Sequence, residues 1–317
     1  MKAVFLDWAT MGPGLDTGRL RELLPELQVF DVTDDSEVAA RIEGAQFVFA
    51  NKVPLTHDLL DACPELRFIG LTATGTDNVD LDVAKQRGIA VCNIRAYCTQ
   101  SVAEHVFGCL LSLTHSLRDY VADVRAGAWQ KSDNFCLLTK PIRELSAMTL
   151  GIVGYGELGK GVADVGANFG MAIIVAMRPG SSNVVDGRVS FNELLARADV
   201  ISLHCPLNDN TRGLFGANEF SKMKNDAIFI NTARGGLVDT AALTEALRTG
   251  QIAAAAIDVL PAEPPVHGDP LLGYEGNNLI LTPHIAWATN EARQAAIDEL
   301  SANIAAFMEG RERNRVV

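Results

Sequence analysis

The sequence alternates, from its first residues onward, between short runs rich in Val, Ile, Leu and Phe and longer stretches with helical periodicity. Short apolar runs are typical of strands that are buried on both faces, as parallel strands are. The alternation therefore predicts an α/β fold in which helices flank parallel sheets. In the first part of the chain we predict strands at residues 2–7, 28–32, 47–51, 68–71 and 90–93 and helices at residues 18–24, 36–42 and 80–87.

A second series of strands and helices begins near Thr149. Two long helical patterns lie at residues 101–120 and 290–309; the first is apolar on several faces and is predicted to be buried. The length of 317 residues suits two domains with a cleft between them, which we predict at residues 1–100 plus 287–317 and at residues 101–286. The strands of the second series are predicted at residues 149–153, 172–176, 200–203, 227–231, 254–258 and 278–281.

Composition restricts the partners that such a chain can have. A net charge of −12 without a basic block makes nucleic acid and anionic membranes poor partners. No apolar run approaches the ~18 residues of a membrane helix, and the N-terminus predicts a core strand rather than a signal peptide. The six cysteines form no Cys-x-x-Cys pair, and no cluster has metal-ligand spacing. We therefore predict a cytoplasmic protein with reduced cysteines and no metal site.

A glycine-rich motif opens the second series. Gly154, Gly156 and Gly159 form a G-x-G-x-x-G pattern between a predicted strand and a predicted helix at residues 158–169. In this context the pattern indicates dinucleotide binding, because the glycines permit a tight turn and bring backbone N–H groups close to a pyrophosphate. A purely structural glycine-rich turn is the alternative.

The end of the next predicted strand bears on which dinucleotide is bound. An acidic residue at the end of this strand commonly accepts a hydrogen bond from the ribose 2′-OH of NAD. Here Arg178 stands there instead, with Ser181 and Ser182 nearby. A guanidinium group can pair with a 2′-phosphate and stack on adenine. The sequence thus favours NADP, with NAD as the alternative.

Three motifs follow the later strands, and each supplies one chemical group. They contain Arg234, Glu263 and His284, which fall beyond the carboxyl ends of strands, where ligands bind in open parallel sheets. Reduction of a 2-keto acid needs a cation for the carboxylate and a proton donor for the developing alkoxide. Arg234 can supply the first and His284 the second. Glu263 can hydrogen-bond the imidazole and fix its tautomer.

Taken together, these motifs resemble the D-2-hydroxyacid dehydrogenase family, most closely its glycerate dehydrogenases, also called hydroxypyruvate reductases. Further matching segments are 72–78, 101–105 and 204–207 with Thr211. The resemblance implies two Rossmann-like domains: a discontinuous, flavodoxin-like substrate-binding domain and a dinucleotide-binding domain. It implies that Arg234, Glu263 and His284 are catalytic. It implies cofactor contacts at Gly154, Gly156, Glu157, Leu158, Gly159, Arg178, His204, Pro206, Thr211, Thr232, Ala233 and Asp258.

The resemblance also bears on the substrate and on assembly. It implies that a small 2-keto acid, hydroxypyruvate or glyoxylate, is reduced to the D-2-hydroxy acid. Substrate contacts are expected at Lys52, Ala73, Thr74, Gly75, Arg234 and His284. The family is typically dimeric, and the aperiodic segment 127–141 suits a dimer interface. The alternatives are a reductase of another 2-keto acid, such as pyruvate, and a dinucleotide-sensing regulatory protein on the same fold.

Overall fold

The computed structural model describes residues 1–178, 185 and 187–317. The described chain divides into two compact units, one of Met1–Cys98 with Ala288–Val317 and the other of Thr99–Trp287. Each unit contains one parallel sheet flanked by helices, which confirms the predicted α/β class. Within the described residues, none of the helices combines the length and apolar character that a bilayer-spanning segment requires.

The first unit is built on a sheet of five parallel strands in the order β2-β1-β3-β4-β5. Its strands are nearly all buried, as their apolar composition predicts, and four helices connect them. The N-terminus of α2 is fixed by a capping box between Asp34 and Glu37. The elements, in chain order, are Ala3–Phe5 (β1), Gly18–Leu23 (α1), Leu27–Val29 (β2), Asp35–Ile42 (α2), Phe47–Ala50 (β3), His57–Asp61 (α3), Phe68–Leu71 (β4), Leu81–Gln86 (α4) and Ala90–Cys92 (β5).

One predicted strand of this unit, at residues 28–32, is wrong at its C-terminal end. The observed β2 stops at Val29, and Val32 is 67% exposed. The Phe30 N–H still donates to the Phe5 carbonyl of β1 at 2.9 Å, but the Phe30 carbonyl accepts the Trp8 N–H of the following loop, also at 2.9 Å. The apolar pattern therefore continues past the point where the backbone leaves the sheet.

The second unit contains a sheet of six parallel strands in the order β11-β10-β9-β8-β6-β7. Because β6 has β7 on one side and β8 on the other, the direction of winding reverses between β6 and β8. The elements, in chain order, are Thr99–Thr114 (α5), Leu117–Arg125 (α6), Thr149–Val153 (β6), Glu157–Asn168 (α7), Ala172–Val175 (β7), Phe191–Arg197 (α8), Val200–Leu203 (β8), Ala217–Phe220 (α9), Ile228–Asn231 (β9), Thr240–Thr249 (α10), Ala254–Ile257 (β10) and Leu279–Leu281 (β11).

The prediction of one buried helix at residues 101–120 is wrong. The chain forms α5 and α6 with a break at Ser116, which has the left-handed backbone angle φ of 48°. The Ser116 hydroxyl donates to the carbonyl of Pro141 at 3.2 Å, so the break is also a contact with a later segment. Half of the residues of α5 are buried, whereas α6 buries none of its residues. The apolar run continues across the break, but only its first part lies in the core.

The C-terminal helix, Asn290–Met308 (α11), completes the first unit. The Phe307 ring lies 4.9 Å from that of Phe68 and 5.8 Å from that of Phe47, between ring centroids. The Asn303 side-chain amide donates to the carbonyl of Asn93 at 2.9 Å. These contacts explain why the last residues of the chain belong to the same unit as the first strands.

Candidate active site

The glycine motif lies at the point where winding reverses in the second unit. Gly154 follows β6 with φ of 97°, and a Cβ there would lie 2.5 Å from the backbone of His204 and Cys205, which follow β8. A Cβ on Gly159 would lie 2.0 Å from the Gly154 carbonyl oxygen. Neither position has room for a side chain. Glycine is required at Gly154 because the turn lies against the end of β8, and at Gly159 because α7 lies against the turn.

The same region has the features of a dinucleotide site. A Cβ on Gly156 would meet no atom within 4 Å, and this residue precedes α7 without a side-chain cap. The first N–H groups of α7 are thereby open to an anion such as a pyrophosphate. Beyond β9, the buried Thr232 hydroxyl finds no hydrogen-bond partner among the described residues, so a bound group could satisfy it. These observations fit a nicotinamide dinucleotide.

Two matched glycine substitutions separate the folding role of the motif from its binding role. Gly159→Ala should lower the melting temperature, because its Cβ would overlap the Gly154 carbonyl. Gly156→Ala should leave the melting temperature unchanged and weaken cofactor binding at least ~10-fold, because its Cβ would occupy the space open to phosphate. Thermal unfolding and cofactor titration measure the two effects. Equal cofactor affinity for Gly156→Ala and wild type would contradict this assignment.

Several predicted cofactor residues surround this turn. The Glu157 carboxylate accepts a hydrogen bond from the Thr99 hydroxyl at 2.6 Å, so its side chain is directed to α5. Leu158 lies in the first turn of α7. The Thr211 hydroxyl donates to the carbonyl of Pro206 at 2.7 Å and accepts from the Asn208 N–H at 2.8 Å, which closes the loop after β8.

Arg178 follows β7 and is exposed to solvent. Its position at the end of the strand after the glycine motif is the one predicted from the sequence. Ser181 and Ser182, the two hydroxyls expected nearby, lie outside the described residues.

His204 is held uncharged beside the glycine motif. Burial lowers the pKa of its imidazole to about 4, and its Nε2 lies 2.8 Å from the Ser202 hydroxyl. Between about pH 6.5 and about pH 4 the unfolded chain binds a proton that the folded chain resists. Acidification over that range therefore destabilises the fold.

His204→Asn should accordingly lose less stability on acidification than the wild type does. Thermal unfolding between pH 7 and about pH 5, without cofactor, measures the difference. His267→Asn, which replaces an exposed imidazole, is the matched control for the substitution itself. If the melting temperature of His204→Asn fell with pH as steeply as that of wild type, His204 would titrate in the same way in the folded and unfolded chains.

The predicted acid–base pair is brought together by the loops after β10 and β11. The Glu263 Oε2 lies 2.6 Å from the His284 Nδ1, and its Oε1 accepts the Leu260 N–H at 2.8 Å. Because a carboxylate only accepts hydrogen bonds, the His284 proton lies on Nδ1 in the neutral form. The other nitrogen, Nε2, is then the one that can exchange a proton with a ligand. Both side chains retain some exposure, 26% for His284 and 33% for Glu263.

The backbone around His284 is fixed by Asp258. His284 has the left-handed φ of 57°, and its N–H donates to the Asp258 carbonyl at 2.8 Å. The Asp258 carboxylate accepts from the Ile285 and Ala286 N–H groups, at 2.9 and 2.8 Å, and from the Thr282 hydroxyl at 2.5 Å. We predicted Asp258 as a cofactor contact. In the structure this side chain, which is 2% exposed, also fixes the loop that carries His284.

Arg234 lies in the loop after β9, which is shaped by the fully buried Asn231. The Asn231 side chain donates to the Arg234 carbonyl at 2.9 Å and accepts the Ala233 N–H at 3.0 Å. The Arg234 guanidinium donates to the Ala233 carbonyl at 2.8 Å. Sequence reasoning missed this role of Asn231; the signal was a polar residue at the end of an otherwise apolar strand.

The Arg234 loop is in direct contact with the loop that carries Glu263. A Cβ on Gly235 would lie 1.9 Å from the Leu260 carbonyl carbon and 2.4 Å from the Pro261 nitrogen. No side chain fits between the two backbones, so the glycine permits their approach. The loop that carries Arg234 therefore lies against the loop that carries Glu263, and Glu263 in turn contacts His284.

The predicted substrate residues of the first unit lie after two neighbouring strands, β3 and β4. Lys52 is exposed, and its N–H donates to the buried Asp7 carboxylate at 2.6 Å, as do the N–H groups of Asn51 and Val53. After β4, the Thr74 hydroxyl donates to the Ile94 carbonyl at 3.0 Å. Lys52 and the segment 73–75 therefore lie at the same edge of this sheet, and Asp7 is a residue that sequence reasoning missed.

Comparison with known proteins agrees with these features. The sequence-family model for the NAD binding domain of D-isomer specific 2-hydroxyacid dehydrogenases matches residues 107–286 of this chain. A glycerate dehydrogenase from Methylorubrum extorquens is 42% identical over 316 residues, covering 99% of this chain and 98% of that protein. A hydroxypyruvate reductase from Blautia hydrogenotrophica is 36% identical over 316 residues, covering 98% of each. An acyclic imino acid reductase, solved in complex with NADPH and D-Arg, superposes with a TM-score of 0.87 at 28% identity over 100% of both chains.

These similarities extend beyond the nucleotide-binding half. The family model covers more than half of this chain, and the two relatives align over almost its whole length. The glycine turn and the buried Thr232 hydroxyl fit the nicotinamide dinucleotide that this family uses. The chain therefore belongs to the D-isomer specific 2-hydroxyacid dehydrogenases, a family of nicotinamide-dependent oxidoreductases.

Proposed function

We propose that this protein reduces hydroxypyruvate, and also glyoxylate, to the corresponding 2-hydroxy acid, with D stereochemistry where the product is chiral. The observation that carries the proposal is the 2.6 Å contact between Glu263 and His284 beside the Arg234 loop. That arrangement supplies a proton donor and a cation, the two groups that reduction of a 2-keto acid requires. The names of the two relatives, glycerate dehydrogenase and hydroxypyruvate reductase, support this choice of substrate.

In the proposed mechanism, Arg234 binds and orients the substrate. Its planar guanidinium holds the substrate carboxylate and the adjacent carbonyl oxygen, which places the carbonyl and stabilises the negative charge that develops on it. The bound nicotinamide supplies the hydride for the carbonyl carbon. The Asn231 contacts fix the turn from which Arg234 extends, so the guanidinium starts from a defined position.

His284 supplies the proton in this mechanism. Protonated His284 donates its Nε2 proton to the substrate carbonyl oxygen, which becomes a hydroxyl group. The Nδ1–H group stays hydrogen-bonded to the Glu263 carboxylate. The Glu263 carboxylate stabilises the imidazolium before transfer and holds the ring orientation throughout. In the reverse direction neutral His284 accepts the hydroxyl proton at the same nitrogen.

We further propose that Lys52 and the backbone N–H groups of Ala73, Thr74 and Gly75 contribute to substrate binding. Lys52 is exposed on a loop whose backbone is fixed by Asp7, and its positive charge suits an anionic ligand. Backbone N–H groups after a strand end are suited to a carboxylate. Specific cations of this kind are needed because the net charge of −12 repels an anionic substrate at long range.

We propose NADP as the preferred cofactor and NAD as the alternative. The proposal is supported by Arg178, which stands where an acidic residue would favour the ribose 2′-OH of NAD. Remaining cofactor contacts are proposed at the glycine turn, at Thr232 and Ala233, and in the loop after β8.

A homodimer in the cytoplasm is the proposed state of the protein. Helix α6 exposes Leu117, Val121 and Val124 on one face, and Phe135 in the following segment is 92% exposed. An apolar surface of this kind suits contact with a second copy. None of the six cysteines forms a disulfide, in keeping with a reducing compartment.

Steady-state rates for hydroxypyruvate, glyoxylate and pyruvate, each with NADPH and with NADH, test the proposal. We expect the highest kcat/KM with hydroxypyruvate and NADPH, and a lower value with pyruvate. A higher kcat/KM with NADH would overturn the cofactor preference alone. Absence of turnover with all three keto acids would contradict the proposed substrate class and favour a dinucleotide-sensing role.

A further inference from the structure

His105 on α5 touches the loop that carries His284. Its Nε2 lies 3.2 Å from the Thr282 hydroxyl, and that hydroxyl donates to the Asp258 carboxylate at 2.5 Å. A threonine hydroxyl has one proton, so with that proton given to Asp258 it can only accept from His105. The contact therefore requires a proton on the His105 Nε2.

A second side chain of α5 holds the other end of the same loop. The Ser101 hydroxyl donates to the Ala286 carbonyl at 2.7 Å. Ser101 and His105 are four residues apart and so lie on one face of the helix, one turn from each other. They contact residues on either side of His284, which has an unfavourable left-handed backbone. Helix α5 is well suited to this task, because half of its residues, Ser101 included, are buried.

We propose that His105 is a positioning residue for His284. It fixes the Thr282 hydroxyl, which in turn fixes the start of the loop, so that the His284 Nε2 keeps the orientation that proton transfer needs. The inference rests on the proposed role of His284 in catalysis. The charged and titratable groups that face the His105 Nε2 are the Asp258 carboxylate, at 3.8 Å, and the Cys109 thiol of the same helix, at 3.7 Å.

Removing the His105 Nε2–H donor should lower kcat without weakening the binding of the keto acid or the cofactor. His105→Leu should reduce kcat about 10-fold, the effect of one lost hydrogen bond at a group that orients the reacting atom. KM for the keto acid and Kd for the cofactor should stay within about twofold of wild type, because His105 is not among the residues proposed to contact either ligand. His105→Gln, whose amide can donate from a similar position, should restore most of kcat.

Thr282 provides a second route to the same test if His105→Leu folds poorly. Thr282→Val keeps the side-chain shape and removes the hydroxyl, so it should reduce kcat at least as much as His105→Leu, because the hydrogen bond to Asp258 is lost as well. Thr282→Ser should retain kcat. The double variant His105→Leu with Thr282→Val should be no slower than Thr282→Val alone, because His105 acts through the Thr282 hydroxyl.

The outcomes distinguish this inference from the proposed function. Full kcat in Thr282→Val and His105→Leu, with His284→Ala inactive, would overturn the role of His105 alone. Full activity of His284→Ala would instead overturn the proposed mechanism. If His105→Gln were as slow as His105→Leu and both melted at lower temperature than wild type, His105 would be a packing residue, and the inference would be wrong.

Discussion

Replacing His284 with Ala is expected to lower kcat for keto-acid reduction by ~10²–10⁴-fold, because the general acid is then absent. Cofactor binding should be little changed, since the glycine turn and Thr232 lie on other loops. The loop itself should persist, because Asp258 accepts the backbone N–H groups of residues 284, 285 and 286, and the substitution removes none of them. We therefore expect His284→Ala to lower kcat without destabilising the fold.

Glu263→Gln is the matched variant for the same claim. Gln keeps the size of the side chain and can still contact the Leu260 N–H, but it lacks the charge that stabilises an imidazolium. We expect a kcat reduction of about 100-fold at neutral pH and little change in melting temperature. Steady-state rates and cofactor titration at one pH compare both variants with wild type. Retention of full kcat by His284→Ala would remove this residue from the mechanism.

Gly235→Ala is expected to disrupt both the fold and the site. Its Cβ would lie 1.9 Å from the Leu260 carbonyl carbon, so one of two backbones has to move rather than a flexible side chain. Such overlap costs about 3 kcal/mol, which lowers the melting temperature of a chain of this size by several degrees. Because these two loops carry Arg234 and Glu263, kcat should fall more than ~10-fold even where the variant is folded.

The adjacent glycine is the control for this substitution. A Cβ on Gly236 would approach only the end of the Leu207 side chain, at 2.9 Å, and that side chain can move. Gly236→Ala should therefore keep most of its stability and activity. Thermal unfolding and steady-state kinetics of the two variants measure the difference. Equal behaviour of Gly235→Ala and Gly236→Ala would show that the close approach of the loops has no consequence.

The fold class and the family could be predicted from local sequence patterns. Short apolar runs predicted strands of both sheets, and those at residues 68–71, 149–153 and 200–203 have the observed bounds. Where the pattern failed, a contact distant in sequence decided the structure. The helical pattern at residues 101–120 breaks at Ser116, whose hydroxyl meets Pro141, and nothing in the periodicity of that segment encodes this contact.

The candidate site divides in the same way. Arg234, Glu263 and His284 could be named from motifs, because each motif follows a strand and supplies a distinct chemical group. The structural roles of Asn231, Asp258 and His105 could not be predicted, since these residues form hydrogen bonds within a loop, between loops and from a helix to a loop. A buried polar residue at a strand end is a general signal for such a role, but its partners are set by the fold.

Transfer of deuterium tests the central claim most directly. Hydroxypyruvate is incubated with reduced nicotinamide cofactor that carries deuterium at both C4 positions, and the product is analysed for chirality and isotope content. The proposed function predicts D-glycerate with one deuterium at C2, and a proton from solvent on the new hydroxyl. L-glycerate, or D-glycerate without deuterium, would contradict it.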